Sequence, residues 1–393
     1  MKNYLKEYHI TLKTIGPVFV GSGKKLSKKE YLFLDDLKST NNRSRFYYGN
    51  QGQRLSKLGI LDINGFYEHI MRRGRGKQFE EFLLTDNRRT DFKQWIESNG
   101  IRESEVLPYL RYELDCSESI IQRRAAVQIM ECIKDPYGRP YIPGSSLKGM
   151  LRTILLSERI MQDTERFAIQ KESMRRASVQ RQNRKVYLNN ESRQVEERAF
   201  HTLNREVKKS QDAVNDELSG FIVSDSDPLD MKDVVLCQKI EGHTDGTEKR
   251  LDLFRECIRP GCEIHFTITV DETRCKIDES SLIRAIRDFD ESYYNNFLKA
   301  FDEDRLQGNV VFLGGGCGYL SKTFIYPMFG KNEGMKIAQR VFQNTLSGRA
   351  IQDHKHNQDL EFGASPHILK YTRYKGRRLQ FGECVLSLET QVS

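Results

Sequence analysis

The amino-acid sequence predicts an α+β protein with more than one small sheet and helices on one face. Three observations lead there. Short segments of period two run repeatedly into loops of glycine and lysine. A helical stripe passes through Leu147, Met150, Leu151, Ile154 and Leu155. Strand-like and helix-like stretches are also interspersed along the chain.

Taken in order, the segment from Tyr8 to Ile15 alternates. With Pro17-Val18-Phe19-Val20-Gly21-Ser22-Gly23 it reads as a strand entering a tight loop that carries Lys24, Lys25, Lys28 and Lys29. Tyr31 to Leu34 reads as a second strand ending at Asp35-Asp36. From Ser56 to about Ile133 the pattern is helical and heavily charged. A short strand, Pro140 to Pro143, leads into Gly144-Ser145-Ser146, where either serine is a suitable N-cap for the helix that follows. Lys148 and Arg152 lie four residues apart on the flank of that helix.

From Met161 to Leu218 the chain is polar and helix-like, with eleven Lys/Arg against five Asp/Glu between Ala168 and Gln211. Val195, Ala199, Leu203 and Val207 supply only a thin apolar seam there. Ser224 to Pro228 is turn chemistry. Strands resume at Val234 to Leu236 and at Glu263 to Val270, and Ser281 to Phe301 reads as a helix. Val310 to Leu313 is a strand entering Gly314-Gly315-Gly316-Cys317-Gly318, with Lys322 just beyond. The tail from Ser365 to Gly382 carries Lys370, Arg373, Lys375, Arg377 and Arg378 and no acid.

Composition narrows the function classes. The 393 residues carry a net charge of +8, and 30% of them are charged, above the usual quarter. This is a folded chain with more polar surface than a compact globule requires, as long polar helices or an assembly interface would produce. No window approaches a membrane span, and the N-terminus lacks an apolar signal region. The eight cysteines contain no Cys-x-x-Cys and read as scattered thiols in a reducing compartment, so a cytoplasmic location is expected.

Several motifs carry a bland reading beside a functional one. Gly144 to Gly149 has the outline of a nucleotide P-loop, but Met150-Leu151 stand where Lys-Ser/Thr is required. What remains is a helix N-terminus with hydroxyls and a lysine, either a phosphate contact or an ordinary capped helix. The glycines at 314, 315, 316 and 318 miss the dinucleotide register. They suit either close approach to another molecule or a sharp bend. The basic tail interleaves tyrosines with cations, which fits a nucleic-acid strand or a charge-protected sheet edge. His354-Lys355-His356 matches no zinc spacing and reads as an exposed loop. Asp225, Asp227 and Asp230 form the tight carboxylate group, a turn or a metal-assisted nuclease site. No metal or other cofactor is expected.

Four segments together resemble the RAMP superfamily of CRISPR proteins. Tyr141-Ile-Pro-Gly-Ser-Ser-Leu-Lys-Gly-Met-Leu-Arg152 is similar to its glycine-motif helix, and Pro17 to Gly23 to its first strand and loop. Leu313 to Thr323 resembles its C-terminal glycine-rich loop. The closing segments, Ser365 to Arg373 and Gly382 to Leu388, look like the fifth-subunit family of type III-A (Csm) effectors. The resemblance implies a ferredoxin-like (RRM-like) fold with large charged helical insertions. It implies an N-terminal domain over 1–275, with insertions at about 56–133 and 161–218, and a C-terminal RRM-like half over 276–393. It further implies a non-catalytic RNA-binding subunit that caps the complex at the 3′ end of the guide RNA and supports guide maturation.

The expected partners are the guide RNA, target RNA, neighbouring backbone and small subunits, and host exoribonucleases, with no membrane. The expected RNA contacts are Gly21, Lys24, Lys25, Gly144, Ser145, Ser146, Lys148, Arg152, Gly314, Gly315, Gly316, Gly318, Lys322, Lys370 and Arg373, and no catalytic residue is assigned. Asp35 and Asp36 are not carried over as the thumb aspartate that cleaves target RNA in the repeating backbone subunit. The rivals are a ribonuclease using His9 or the Asp225/Asp227 group, and a protein-only adaptor that recruits nucleases.

Overall fold

The computed structural model describes residues 4–34, 53–54, 57–85, 90–121, 128–180, 182–205 and 212–390. Asp35, Asp36 and Val207 lie outside the described residues. The chain begins with β1 (Leu5–Thr14), β2 (Gly21–Leu26), β3 (Tyr31–Leu34), the two-residue β4 (Gln53–Arg54) and β5 (Lys57–Leu61). Helices α1 (Ile63–Arg72), α2 (Gly76–Leu84), α3 (Phe92–Ser98) and α4 (Glu103–Val106) follow, then β6 (Leu110–Asp115), β7 (Ile120–Ile121) and β8 (Gln128–Cys132). Next come α5 (Gly144–Gln162), α6 (Ala168–Ser178) and α7 (Asn189–Phe200). The second half runs β9 (Phe221–Val223), β10 (Val234–His243), β11 (Glu248–Ile258), β12 (Glu263–Asp271), α8 (Glu279–Asn296) and β13 (Val310–Phe312). It closes with α9 (Ile325–Thr345), α10 (Gly348–Asp353), β14 (Ile368–Tyr374), β15 (Arg377–Gln380) and β16 (Glu383–Thr390).

One sheet has the order β13-β16-β1-β12-β9. All its pairings are antiparallel. Read along the chain, β1-α5-β9-β12-α8-β16 is a βαββαβ unit with β1 and β12 at the centre, the ferredoxin-like arrangement. Alternation sets its faces. Tyr8, Ile10 and Leu12 point into the core with Ile264, Phe266 and Ile268. The opposite face presents Glu7, His9, Thr11 and Lys13 beside Glu263, His265 and Thr267. Helix α5 buries Leu147, Leu151, Ile154 and Leu155 in that core, as the stripe requires. Helix α8 starts at a capping box, in which Ser281 N–H donates to Asp278 Oδ1 at 2.8 Å and Asp278 N–H to Ser281 Oγ at 3.0 Å.

The second sheet has nine strands, β2-β8-β11-β10-β6-β5-β3, with β14 on β10 and β15 on β14. Both sheets draw strands from either side of the expected boundary at 275/276. Several local expectations are corrected here. Gly21 to Leu26 is an edge strand with a register shift against β8 rather than a tight loop, because pairing with β8 satisfies its backbone. The stretch expected to be helical from 56 to 133 is helical only from α1 to α4, with sheet strands on both sides. Those helices close a core of their own around Phe66, Phe79, Phe92 and Trp95. The strand expected at 140–143 is reduced to a bridge between Lys134 and Pro140. The polar insertion at 161–218 adds Tyr187, Leu188 and Phe200 to the seam of Val195 and Ala199 and so joins the main core. No described helix is long and apolar enough to cross a membrane.

Ile154 is 1% exposed, so truncating it leaves a cavity between α5 and the sheet. Ile154→Ala should cost about 2–5 kcal/mol, read as a lowered urea midpoint with an unchanged slope.

Candidate nucleic-acid interface

The glycine-rich segment after β13 is held at a junction of three backbones. Leu313 N–H donates to the Gly382 carbonyl at 2.8 Å, and Gly315 N–H to the Phe19 carbonyl at 2.6 Å. Gly314 has φ +85°, and a Cβ there would lie 2.3 Å from the Phe19 carbonyl oxygen. A Cβ on Gly382, at φ +78°, would lie equally close to the Leu313 oxygen. No L side chain fits either place. These glycines therefore bring chain segments together first, and Gly318 alone of the four in the loop has open space around it.

A guanidinium faces this junction. Arg255, on β11, lies between the rings of Phe19 and Phe381, 5.2 and 5.6 Å from their centroids. Its Nε and Nη1 are buried without a hydrogen-bond partner, and a Cβ on Gly316 would stand 2.7 Å from Nη1. Burial lowers its pKa from the ordinary arginine range. Lys239 of β10 lines a neighbouring cavity of about 250 Å³ with Cys317, Gly318, Tyr319 and Lys370. Burial, then the nearby Lys370 charge, pushes the Lys239 ammonium down to about 8. Lys322 is exposed at the end of the same loop. Neither Lys239, Arg255 nor Lys322 has an ion-pair partner among the described residues. The Glu241 carboxylate lines the same cavity but is paired with Lys370, so three cations around one loop stand without an ion pair of their own, a place suited to an anion, and phosphate is the anion nucleic acid supplies.

The other expected contacts divide sharply. Gly21 sits against the Phe19 ring, and Lys24 and Lys25 are exposed on β2 without an ion pair among the described residues. Ser145 is exposed, but neither it nor Ser146 caps α5. The first N–H of the helix, from Gly144, donates instead to Asp225 Oδ1 at 2.8 Å. Lys148 donates to the Leu218 carbonyl at 2.7 Å. Arg152 is held by Glu196 and Asp216 at 2.9 and 2.7 Å and stacks on Phe200. Lys370 pairs with Glu241, Arg373 with both oxygens of Glu248, and Arg378 with Glu303. The acid-free tail is thus largely neutralised by carboxylates from elsewhere, leaving Lys375 and Arg377 at the hairpin tip. Tyr371 and Tyr374 are buried, so they offer no stacking surface. The open face of the ferredoxin-like sheet presents no tyrosine, phenylalanine or tryptophan from β1 or β12 either.

The nuclease candidates are likewise placed. Asp230 caps a turn by accepting from Lys232 N–H, and Asp225 caps α5, so the aspartates serve turns and helix ends. His9 lies on the open sheet face, 3.7 Å from Glu7. His356, expected in an exposed loop, is buried in a cluster with Asp359 and His367. Arg255 and Lys239 were not among the expected contacts, because no local spacing ties β10 or β11 to residues 314–318.

A family model described as "RAMP superfamily" matches residues 11–321. A Mycobacterium tuberculosis protein named "CRISPR system Cms protein Csm5" is 29% identical over 415 residues, covering 99% of each chain. A Streptococcus thermophilus protein of the same name is 27% identical over 339 residues, covering 82% of this chain and 81% of that one. Among solved structures, a chain of "Csm-crRNA-target RNA ternary complex in type III-A CRISPR-Cas system" superposes with a TM-score of 0.60 at 18% identity, covering 97% and 100%. The "Crystal structure of T.onnurineus Csm5" gives 0.55 at 18% identity, covering 95% and 99%. The likeness to the fifth Csm subunit and the ferredoxin-like fold agree with these matches.

Removing the Asp225 carboxylate takes away the acceptor at the start of α5. Asp225→Ala should lower stability by about 1 kcal/mol, while the exposed Asp227→Ala should leave the melting temperature unchanged.

Proposed function

Because this chain belongs to the RAMP superfamily, we propose that it is a non-catalytic, RNA-binding subunit of a type III-A CRISPR effector. It caps the complex at the 3′ end of the guide RNA and supports guide maturation, with host exoribonucleases as the cutting partners. The observation that carries this reading is the end-to-end match with the Mycobacterium tuberculosis relative, over 99% of both chains. The cations around residues 314–318, which form no ion pair among the described residues, support it physically. Arg255, Lys239 and Lys322 hold phosphates, with Lys24 and Lys25 on the adjoining edge strand. Lys148, Arg152, Lys370 and Arg373 then shape the protein, and reach RNA only if their present partners release them. Contacts of this kind position a strand without reading its bases, so guide sequence matters little. The residues 1–275 and 276–393 act together in this scheme, since both sheets need both parts.

The test is recovery of the tagged chain from its native operon with sequencing of bound RNA ends. Guides sharing a repeat-derived 5′ end are expected, and deletion of the gene should leave longer guides or a shorter complex. Absence of any small RNA would sink the reading and favour the adaptor. Cleavage of labelled RNA that vanishes in His9→Ala would favour the nuclease.

Within the purified effector, Arg255→Ala should flatten the dependence of log affinity on log salt by about 0.7 for each phosphate it no longer neutralises. Lys239, with its free pKa of about 8, contributes fully below that pH. Binding to phosphate raises that pKa, so affinity should decline as pH rises above 8. Lys239→Arg, charged throughout, should remove the decline, as a filter-binding series from about pH 7 to 10 would show.

A further inference from the structure

Four of the eight histidines converge where the chain runs from α10 into β14. His356, Asp359 and His367 are 5%, 0% and 2% exposed. Their ligating atoms all lie within 4.8 Å of one another, the one such group among the described residues. The Nδ1 atoms of His356 and His367 stand 3.1 and 2.6 Å from the same Asp359 oxygen, Oδ1. The other carboxylate oxygen accepts from Ser365 Oγ at 2.7 Å. The ring of His243 is 5.5 Å from that of His367, and the ring of His354 is 5.9 Å from that of His356.

We propose that His356, Asp359 and His367 bind a zinc ion, with water or His243 at the fourth position. Two imidazoles and one carboxylate are a borderline-soft donor set that suits Zn²⁺. Tetrahedral zinc with bonds of about 2.0–2.1 Å places neighbouring donors roughly 3.3 Å apart. The His356–Asp359 separation is close to that, and the His367 side opens by roughly 0.7 Å to admit the ion. The surroundings act as an outer shell: Ser365 orients the carboxylate, Phe342 stacks on His356 at 4.8 Å, and Phe362 packs on His367 at 4.5 Å. A cavity of about 260 Å³ lined by His243, Asp245, His354 and His367 gives the ion an entry path. The ion would staple a stretch, 354–367, whose regular structure amounts to the one helical turn at His356–Gln358, and would fix the start of β14. His354 and His356 also line the 250 Å³ cavity that holds Lys239 and Lys370, so the staple braces one wall of the cationic site. The inference does not depend on what that site binds.

The experiment uses the full chain with any affinity tag removed. After incubation with ZnCl₂ and exhaustive buffer exchange, elemental analysis should give about one zinc per chain. Asp359→Ala and His367→Ala should fall below a tenth of that, and His9→Ala should match the unaltered protein. Should the buried variants fail to fold, the unaltered protein still decides. Titration with CoCl₂ should raise the visible absorption of a four-coordinate site, saturating at one equivalent and abolished by ZnCl₂. Added ZnCl₂ should also raise the melting temperature, and a zinc chelator should reverse the rise. A chain that retains no zinc, shows no cobalt band and melts alike with and without chelator overturns the proposal. The cluster is then a carboxylate hydrogen-bonded by two histidines and a serine.

Discussion

Three backbones meet so closely around Gly314 and Gly382 that side chains are sterically excluded, and the two sheets are joined through that contact. The β1–β2 link at Phe19, the loop after β13 and the turn between β15 and β16 each give or receive a main-chain hydrogen bond there. The turn leads directly from the nine-stranded sheet into β16 of the ferredoxin-like sheet. Glycine is therefore a structural requirement at this seam before it serves any ligand. The consequence for function is positional. Close approach of the backbones sets Phe19 and Phe381 on either side of Arg255 and leaves its guanidinium facing the seam without an ion-paired carboxylate among the described residues.

Charge follows a similar logic. A basic chain can distribute its excess cations as solvated surface, as ion pairs, or as uncompensated groups held in place by packing. The tail strand β14 takes the second course: its partners Glu241 and Glu248 come from β10 and β11 of the same sheet. Arg152 is similarly taken up by Glu196 of α7 and Asp216. At the glycine seam Arg255 and Lys239 have no ion-pair partner among the described residues and carry a desolvation cost that an anionic ligand would offset, while Lys322 stands exposed beside them. This is why a few residues around one loop say more about binding than the net charge of the whole chain.

Much of the fold was legible from local pattern. The alternation of β1 and β12, the stripe of α5, and the glycine cluster ending β13 each arise from interactions within a few residues, so period and composition reveal them. Strands β10 and β11 were visible only in part or not at all. Their length comes from pairing with each other and with β14, not from a clean alternation. Helix α5 shows the same limit at its start. Two serines at the N-terminus suggested the cap, yet the acceptor is Asp225, far along the chain and brought near by β9. A carboxylate that local reading placed in a turn or a metal site is thereby given a structural task.

The histidines complete the contrast. His354 and His356 are close in sequence and uninformative there, while His243 arrives from the end of β10 and His367 from the residue before β14 to make the cluster. Residue order alone was enough for the α+β class, the resemblance to the RAMP superfamily and the location of the glycine loops, because these depend on short-range periodicity and contiguous motifs. Folding in three dimensions settled which cations are neutralised by carboxylates, which face the glycine seam unpaired, and which imidazoles share one aspartate. Those outcomes depend on distances between residues that the chain separates and the sheets bring together, and ion pairing, desolvation and metal coordination all act across such distances.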